Sequence, residues 1–104
     1  MSDTLDTTAT ALAALGHTAR LSVFRLLVQA GHDGLTVGDI AAFVDLPPST
    51  LAHHLRTLVH AGLVIQERRG REILSRPDFA KMDATLAFLT SECCRGLPAA
   101  MAKA

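Results

Sequence analysis

A pair of prolines between two helical patterns restricts the fold of this chain more than any other feature. Pro47 and Pro48 follow a stretch in which apolar residues recur at helical spacing. Because the residue before a proline avoids helical backbone angles, the first of the two helices must end by Leu46. Thr36 stands where an N-cap is expected, which places this helix at about 36–44.

The second helix is expected at 48–61, since proline is well tolerated in a first helical turn and Gly62 provides a stop. Leu51, Leu55 and Leu58 recur at i, i+4 and i+7 and form its buried face. The opposite side carries hydroxyl, imidazole and guanidinium groups: Ser49, Thr50, His53, Arg56, Thr57 and His60. Such groups can contact phosphates and base edges when a helix lies in the major groove, whereas the simplest alternative is a solvated helix face.

A basic hairpin follows at 63–75. Strand-like apolar runs at 63–65 and 73–74 flank a polar tip that contains Arg68, Arg69, Gly70 and Arg71. A glycine in a polar tip between β-rich runs is typical of a β-hairpin. Two helices followed directly by a basic hairpin predict a winged helix-turn-helix, a mainly α fold with about five helices and a two-stranded wing.

The remaining helices are expected at about 4–15, 18–30 and 77–94, which gives a single domain over 1–104. The 18–30 segment is apolar almost all round and is expected to form the centre of the core. The last helix carries a heptad-like apolar seam, made of Phe79, Met82, Leu86, Leu89 and Cys93. We interpret this seam as a dimer interface, the alternative being packing against the second helix of the same chain.

The charge of the chain is unevenly distributed, although its formal net charge is zero. Residues 1–47 hold two Arg and five Asp, whereas residues 48–76 hold five Arg and two Glu. The positive excess therefore lies on the second helix of the pair and on the hairpin, where nucleic-acid phosphates are expected.

Several classes of protein do not fit the sequence. It contains no signal-peptide pattern, no apolar run of membrane-spanning length, no nucleophile–base arrangement and no glycine-rich phosphate loop. We therefore expect a cytoplasmic protein that is not an enzyme and requires no cofactor.

Two adjacent cysteines, Cys93 and Cys94, are the only thiols of the chain. Cys93 fits the apolar seam, but Cys94 lies about 100° further round a helix. A closed zinc site needs four ligands, whereas soft thiolates favour thiophilic centres such as trivalent arsenic or antimony. A methylated or aryl arsenic(III) has two bonds left for sulfur, so it matches a cysteine pair better than arsenite, which can take three sulfurs.

The order and spacing of these motifs resemble the ArsR/SmtB family of winged-helix repressors, which sense metals, metalloids or redox state. The resemblance covers about residues 8–92 and rests on four stretches: 14–21 (ALGHTARL), 46–55 (LPPSTLAHHL), 61–64 (AGLV) and 68–71 (RRGR). The vicinal Cys93–Cys94 pair resembles the inducer site of a subset of arsenic-responsive members of the family.

The resemblance implies a homodimeric repressor that binds an inverted-repeat DNA operator and leaves it when an inducer binds. The implied inducer is arsenic(III), methylarsenic(III) or antimonite, held by Cys93 and Cys94. The residues expected to contact DNA are Ser49, Thr50, His53, His54, Arg56, Thr57, Arg68, Arg69 and Arg71.

The sequence also departs from better-known members of the family. Many arsenic sensors carry Cys-x-Cys before the recognition helix, which here is the second helix of the pair, at 48–61. The corresponding stretch of this chain, 42–46, contains no thiol. The last helix has no histidine for the zinc site of other members, and Met101 stands where some members have a third cysteine. Neither of these better-known sites can therefore be transferred to this chain.

Three other interpretations are consistent with the sequence. The first is a redox-sensing repressor, switched by a strained Cys93–Cys94 disulfide that is readily reduced. The second is a DNA-binding subunit without an effector, and the third is a protein-interaction module whose arginine-rich wing meets an acidic partner. The polar face of the recognition helix favours DNA over an acidic protein.

Overall fold

The computed structural model describes residues 3–98, so that Met101 lies outside the described residues. The elements in chain order are α1 (Asp3–Leu15), α2 (Thr18–Ala30), a 3₁₀ turn (Gly31–Asp33), α3 (Val37–Ala41), α4 (Pro48–His60), β1 (Val64–Arg69), β2 (Glu72–Pro77) and α5 (Phe79–Thr90). The winged helix-turn-helix architecture predicted from the sequence is confirmed.

Local hydrogen bonds explain where α3 and α4 begin. The Thr36 hydroxyl accepts from the Asp39 backbone N–H at 3.0 Å, and the Asp39 carboxylate accepts from the Thr36 N–H at 3.0 Å. This reciprocal capping box satisfies two backbone donors at the start of α3. Pro48 occupies the first turn of α4, where its missing N–H costs little.

The expected end of α3 at residue 44 was wrong, since the helix ends at Ala41. Ala42 and Phe43 form a turn, which leads the chain toward α4. The chain has to leave the helix axis before Pro47, because the residue ahead of a proline avoids helical angles.

The core lies where α2, α3 and α4 meet the base of the wing. Its fully buried side chains include Val23, Leu27, Ile40, Leu51, Leu58 and Leu63. The expectation that α2 is buried almost all round was wrong, because Leu21 is 42% exposed. Helix α2 is therefore an amphipathic helix with one open face.

The wing is an antiparallel hairpin in which Val64 pairs with Pro77 and Arg69 with Glu72. It starts and ends slightly later than the expected 63–75. Backbone hydrogen bonds in both directions between Leu35 and Ser75, of 2.9 and 2.8 Å, tie the hairpin to the segment before α3. A side chain at Gly34 would meet the Ser75 carbonyl oxygen at 2.9 Å, so glycine is required for this close approach.

The last helix is shorter than the expected 77–94. Asp78 caps its start by accepting from the Lys81 N–H, and the helix ends at Thr90. Ser91 has an extended backbone, and its hydroxyl donates to the Phe88 carbonyl at 2.8 Å. Its side chain thus takes up one of the carbonyls left free at the helix end.

None of the described helices is long and apolar enough to cross a bilayer alone. Helices α1 and α2 reach the required length only as a pair bent by 99°.

Candidate DNA-binding surface and thiol pair

The outward face of α4 is polar along its whole length. Ser49, His53, Arg56 and His60 are exposed, and Thr50 and Thr57 are half-buried. The Thr57 hydroxyl donates to the His53 carbonyl at 3.1 Å, which leaves its oxygen able to accept. Because Leu51, Leu55 and Leu58 are buried on the opposite side, α4 presents a donor-rich strip above an apolar base.

His54 does not belong to this strip, so its expected role as a DNA contact does not fit the structure. Its side chain is 5% exposed and its ring lies 4.9 Å from the ring of His17. Position 54 falls between the buried Leu51 and Leu58, three residues from one and four from the other, and helical geometry places it on the core face. The contact between His54 and His17 was not predicted from the sequence. The spacing of His54 from Leu51 and Leu58, by three and four residues, was the signal that could have revealed its burial.

The arginines of the wing differ in how they are paired. Arg76 donates to Glu67 at 2.7 Å, and the Arg69 Nε lies 3.5 Å from the other oxygen of the same carboxylate. Arg68 and Arg71 are exposed and have no ion pair among the described residues. Gly70, with φ of 60°, makes the tight tip between them. The full positive charge of the wing therefore lies on Arg68 and Arg71, with a smaller net contribution from Arg69.

The two thiols lie in the turn that follows α5, and both are exposed. Their sulfurs are 3.2 Å apart. Glu92 and Cys94 both have positive φ angles, of 63° and 64°. This backbone turns both sulfurs toward the same side, which a continuous helix could not do for adjacent residues. The expected place of Cys93 on the buried seam was wrong, because the helix ends before it.

The contact between the thiols affects the pKa of Cys93. The hydrogen bond with Cys94 raises the pKa of Cys93 above its ordinary value of 9.0, and desolvation raises it further. Arg95, next to the pair, forms an ion pair with Glu92 at 3.1 Å. Cys93 therefore remains a protonated thiol at neutral pH.

The described residues contain no group of three or more His, Cys, Asp or Glu side chains that could hold a metal ion. Within residues 3–98 the two sulfurs thus form a two-ligand site. A closed four-ligand zinc site cannot be built from these residues alone.

The apolar seam of α5 is divided between two environments. The Phe79 ring packs against the His32 ring in a tilted arrangement, with centroids 4.6 Å apart, and Met82 packs against the core. Leu86 and Leu89 are 57% and 58% exposed. Helix α1 contacts α5 and also exposes leucines, Leu5 and Leu12. Both interpretations of the seam are therefore represented, since its first half packs within the chain and its second half is open to a partner.

Comparison with known proteins identifies related folds. A family described as a helix-turn-helix domain matches residues 15–67. An ArsR-like transcriptional regulator from Rhodococcus sp. RHA1 is 26% identical, with 85% of this chain and 80% of that chain covered and a TM-score of 0.74. No curated protein shows a significant match.

Two further solved structures are each 29% identical and cover 90% of this chain. One is a possible transcriptional regulator for arsenical resistance, of which 95% is covered, with a TM-score of 0.67. The other is the homodimeric winged helix-turn-helix DNA-binding domain of Mb0332 from Mycobacterium bovis, a possible ArsR-family regulator, of which 91% is covered, with a TM-score of 0.66.

Proposed function

This chain belongs to the helix-turn-helix domain family, as a winged-helix DNA-binding domain of the ArsR type, and we propose that it is a homodimeric repressor released from DNA by trivalent arsenic. The inducer is a methyl- or arylarsenic(III) bound by Cys93 and Cys94. The observation that carries this proposal is the exposed thiol pair, with sulfurs 3.2 Å apart, at the end of α5.

The sulfur separation suits a pyramidal centre. Two sulfurs at about 2.3 Å from a shared atom, the length of a zinc–sulfur bond, lie roughly 3.3 Å apart at a right angle and about 3.8 Å apart at a tetrahedral angle. Trivalent arsenic keeps a lone pair, so its bond angles lie close to a right angle. The observed 3.2 Å is close to the right-angle value, so the sulfurs need little movement to bind arsenic(III).

The raised pKa of Cys93 supports the same choice. A monosubstituted arsenic(III) dihydroxide condenses with two thiols: two As–S bonds form, two As–O bonds break, and two waters leave with the thiol protons. Arsenic stays trivalent throughout. Zinc, by contrast, needs thiolates, which the raised pKa of Cys93 disfavours.

DNA binding is assigned to the polar strip of α4 and the tip of the wing. In a dimer, two α4 helices enter successive major grooves of an inverted repeat about 34–36 Å apart. His53 and Arg56 provide contacts in the groove, and Arg68 and Arg71 contact the phosphate backbone.

The dimer is assigned to the open half of the α5 seam together with α1. Leu86 and Leu89 expose apolar area that a monomer has no reason to leave in water. The turn with the thiols begins directly after this surface, so an arsenic atom bridging the sulfurs fixes the chain beside the interface. A small change there alters the spacing of the two recognition helices and weakens the match to the operator.

A redox switch is the second candidate, favoured by the same short sulfur separation. Hydrogen peroxide can accept two electrons from the thiols: the O–O bond breaks, the S–S bond forms, and the two thiol protons leave in two molecules of water. Two features disfavour it. The raised pKa of Cys93 lowers the thiolate fraction that attacks peroxide, and adjacent residues have Cα atoms about 3.8 Å apart, closer than most disulfides accept.

The test is a titration of the operator complex, followed by fluorescence anisotropy, with methylarsenic(III), phenylarsenic(III), arsenite and hydrogen peroxide. We expect release by the organoarsenicals at the lowest concentration, and no release from Cys93→Ser or Cys94→Ser variants, whose apo complexes form normally. Release by peroxide alone would favour the redox switch. Release of the double variant by any of these reagents would exclude the thiol pair as the effector site.

A further inference from the structure

A cluster of three imidazoles joins the recognition helix to the α1–α2 corner. His54 on α4 lies between His17, at the start of α2, and the exposed His53, with ring centroids 4.9 and 5.7 Å away. His17 caps α2 by accepting from the Ala19 N–H through Nδ1 at 3.1 Å. Arg20 completes the corner, since its Nε donates to the Ala14 carbonyl at the end of α1 at 2.7 Å.

His54 is the anomaly in this cluster. Its Nδ1 is buried and is the only buried side-chain nitrogen or oxygen within residues 3–98 that has no hydrogen-bond partner. An unpartnered buried polar atom is costly, and in native proteins it is often connected with function. An apolar residue of similar size would fill the same site without this cost.

No acidic group compensates the cluster. The groups that act electrostatically on His54 are His17 and Arg20 from the α1–α2 corner and His53 from its own helix, and all three are bases. Burial, the largest effect, and these positive neighbours lower the pKa of His54 below its ordinary 6.5. The neutral ring fits the packed site, whereas the protonated ring is both desolvated and repelled.

From this geometry we propose that His54 is a proton-sensitive positioning residue, whose neutral form seats the recognition helix against the α1–α2 corner and whose protonation weakens DNA binding. In the free protein, a charged ring can move toward water by a shift of α4. When α4 is held in the major groove, that relaxation is restricted. At a pH where His54 is protonated in the free protein, DNA binding therefore releases this proton.

The sign of this effect separates His54 from its neighbours on the surface. Protonation of exposed His53 or His60 near phosphates strengthens DNA binding as the pH falls, because it adds a favourable charge. Protonation of His54 weakens DNA binding as the pH falls. Each linked proton changes the affinity by about tenfold per pH unit in the range where it titrates.

The test measures operator affinity between pH 7.5 and pH 5 for the wild type, His54→Gln and the matched control His53→Gln. We expect acid to favour DNA binding more in His54→Gln, which cannot take up a proton at position 54, than in the wild type. In His53→Gln we expect acid to favour DNA binding less than in the wild type. The same pH dependence of affinity in His54→Gln as in the wild type would overturn the proposal.

Two further measurements keep the result interpretable. Circular dichroism must show that the wild-type protein stays folded at each pH at which its affinity is measured. Unfolding over the pH range in which the wild type and His54→Gln differ in affinity would overturn the positioning role. If His54→Gln does not fold, His54→Met serves as the non-titrating variant. Proton NMR of the imidazole C2 protons in the wild type should show His54 titrating below its ordinary pKa of 6.5 in the free protein, and a pKa above that value would overturn the assignment.

Discussion

The helix-turn-helix with its wing and the C-terminal end of α5 are built in opposite ways. The first region rests on buried leucines, a capping box and a hairpin tied to the segment before α3. The second exposes two leucines and ends in a turn with two positive φ angles and two exposed thiols. The well-packed helix-turn-helix with its wing therefore contrasts with the end of α5, where few packing contacts oppose a change of conformation.

The largest difference between the regions is expected in stability. Leu58→Ala removes a fully buried side chain of α4 and should lower the free energy of unfolding by about 2–5 kcal/mol. Cys94→Ala, at an exposed turn, should change it by less than about 0.5 kcal/mol. Urea unfolding at one fixed protein concentration measures both, and a comparable loss in the two variants would remove the contrast.

The next effect concerns assembly. Leu89→Glu places a charge on the open half of the α5 seam and should convert the dimer into monomers that no longer bind a two-half-site operator. Ala80→Glu, exposed at the start of the same helix, is the control and should remain dimeric. Sedimentation that shows an intact Leu89→Glu dimer would move the interface elsewhere.

A smaller effect is expected where α3 is capped. Thr36→Ala removes the hydroxyl that accepts from Asp39 and should cost about 1 kcal/mol of stability. Thr36→Ser keeps the acceptor and should restore most of that loss. Urea unfolding measures both variants, and an equal loss of stability in Thr36→Ala and Thr36→Ser would show that the hydroxyl does not cap α3.

The smallest effect separates the arginines of the wing. Arg71→Ala should weaken operator binding across all sequences and reduce the slope of log affinity against log salt concentration by about 2, as expected for one lost phosphate contact in each half-site of the dimer. Arg69→Ala should reduce the slope less, because Glu67 already shares its charge. Equal slopes for both variants would show that the Glu67 contact does not persist on DNA.

The two regions also differ in how far the sequence alone determined them. Pro47, Pro48, Thr36 and the leucine spacing predicted α3 and α4. The strand-like runs on either side of Gly70 predicted the wing. All of these signals act over a few neighbouring residues. The polar strip of α4 followed from the same periodicity. The burial of His54 was missed because an imidazole is expected at the surface unless its place relative to Leu51 and Leu58 is considered.

The end of α5 was harder to predict for a physical reason. No proline or glycine stands between Thr90 and Cys94, so helical periodicity placed Cys93 on a seam that the chain had already left. The turn is set by Ser91, whose hydroxyl bonds back to Phe88, and by the positive φ angles of Glu92 and Cys94. Such non-glycine angles have no clear sequence signal.

Coupling between the thiol pair and the DNA-reading region is the central claim. Coupling is reciprocal, so DNA must weaken arsenical binding by the same factor by which the arsenical weakens DNA binding. The direct measurement is the affinity of methylarsenic(III) for the dimer, alone and saturated with operator, by quenching of a probe at the C-terminal turn. We expect the operator to reduce this affinity by about 5–150-fold, the usual range for allosteric proteins. Equal affinity with and without operator would contradict the claim.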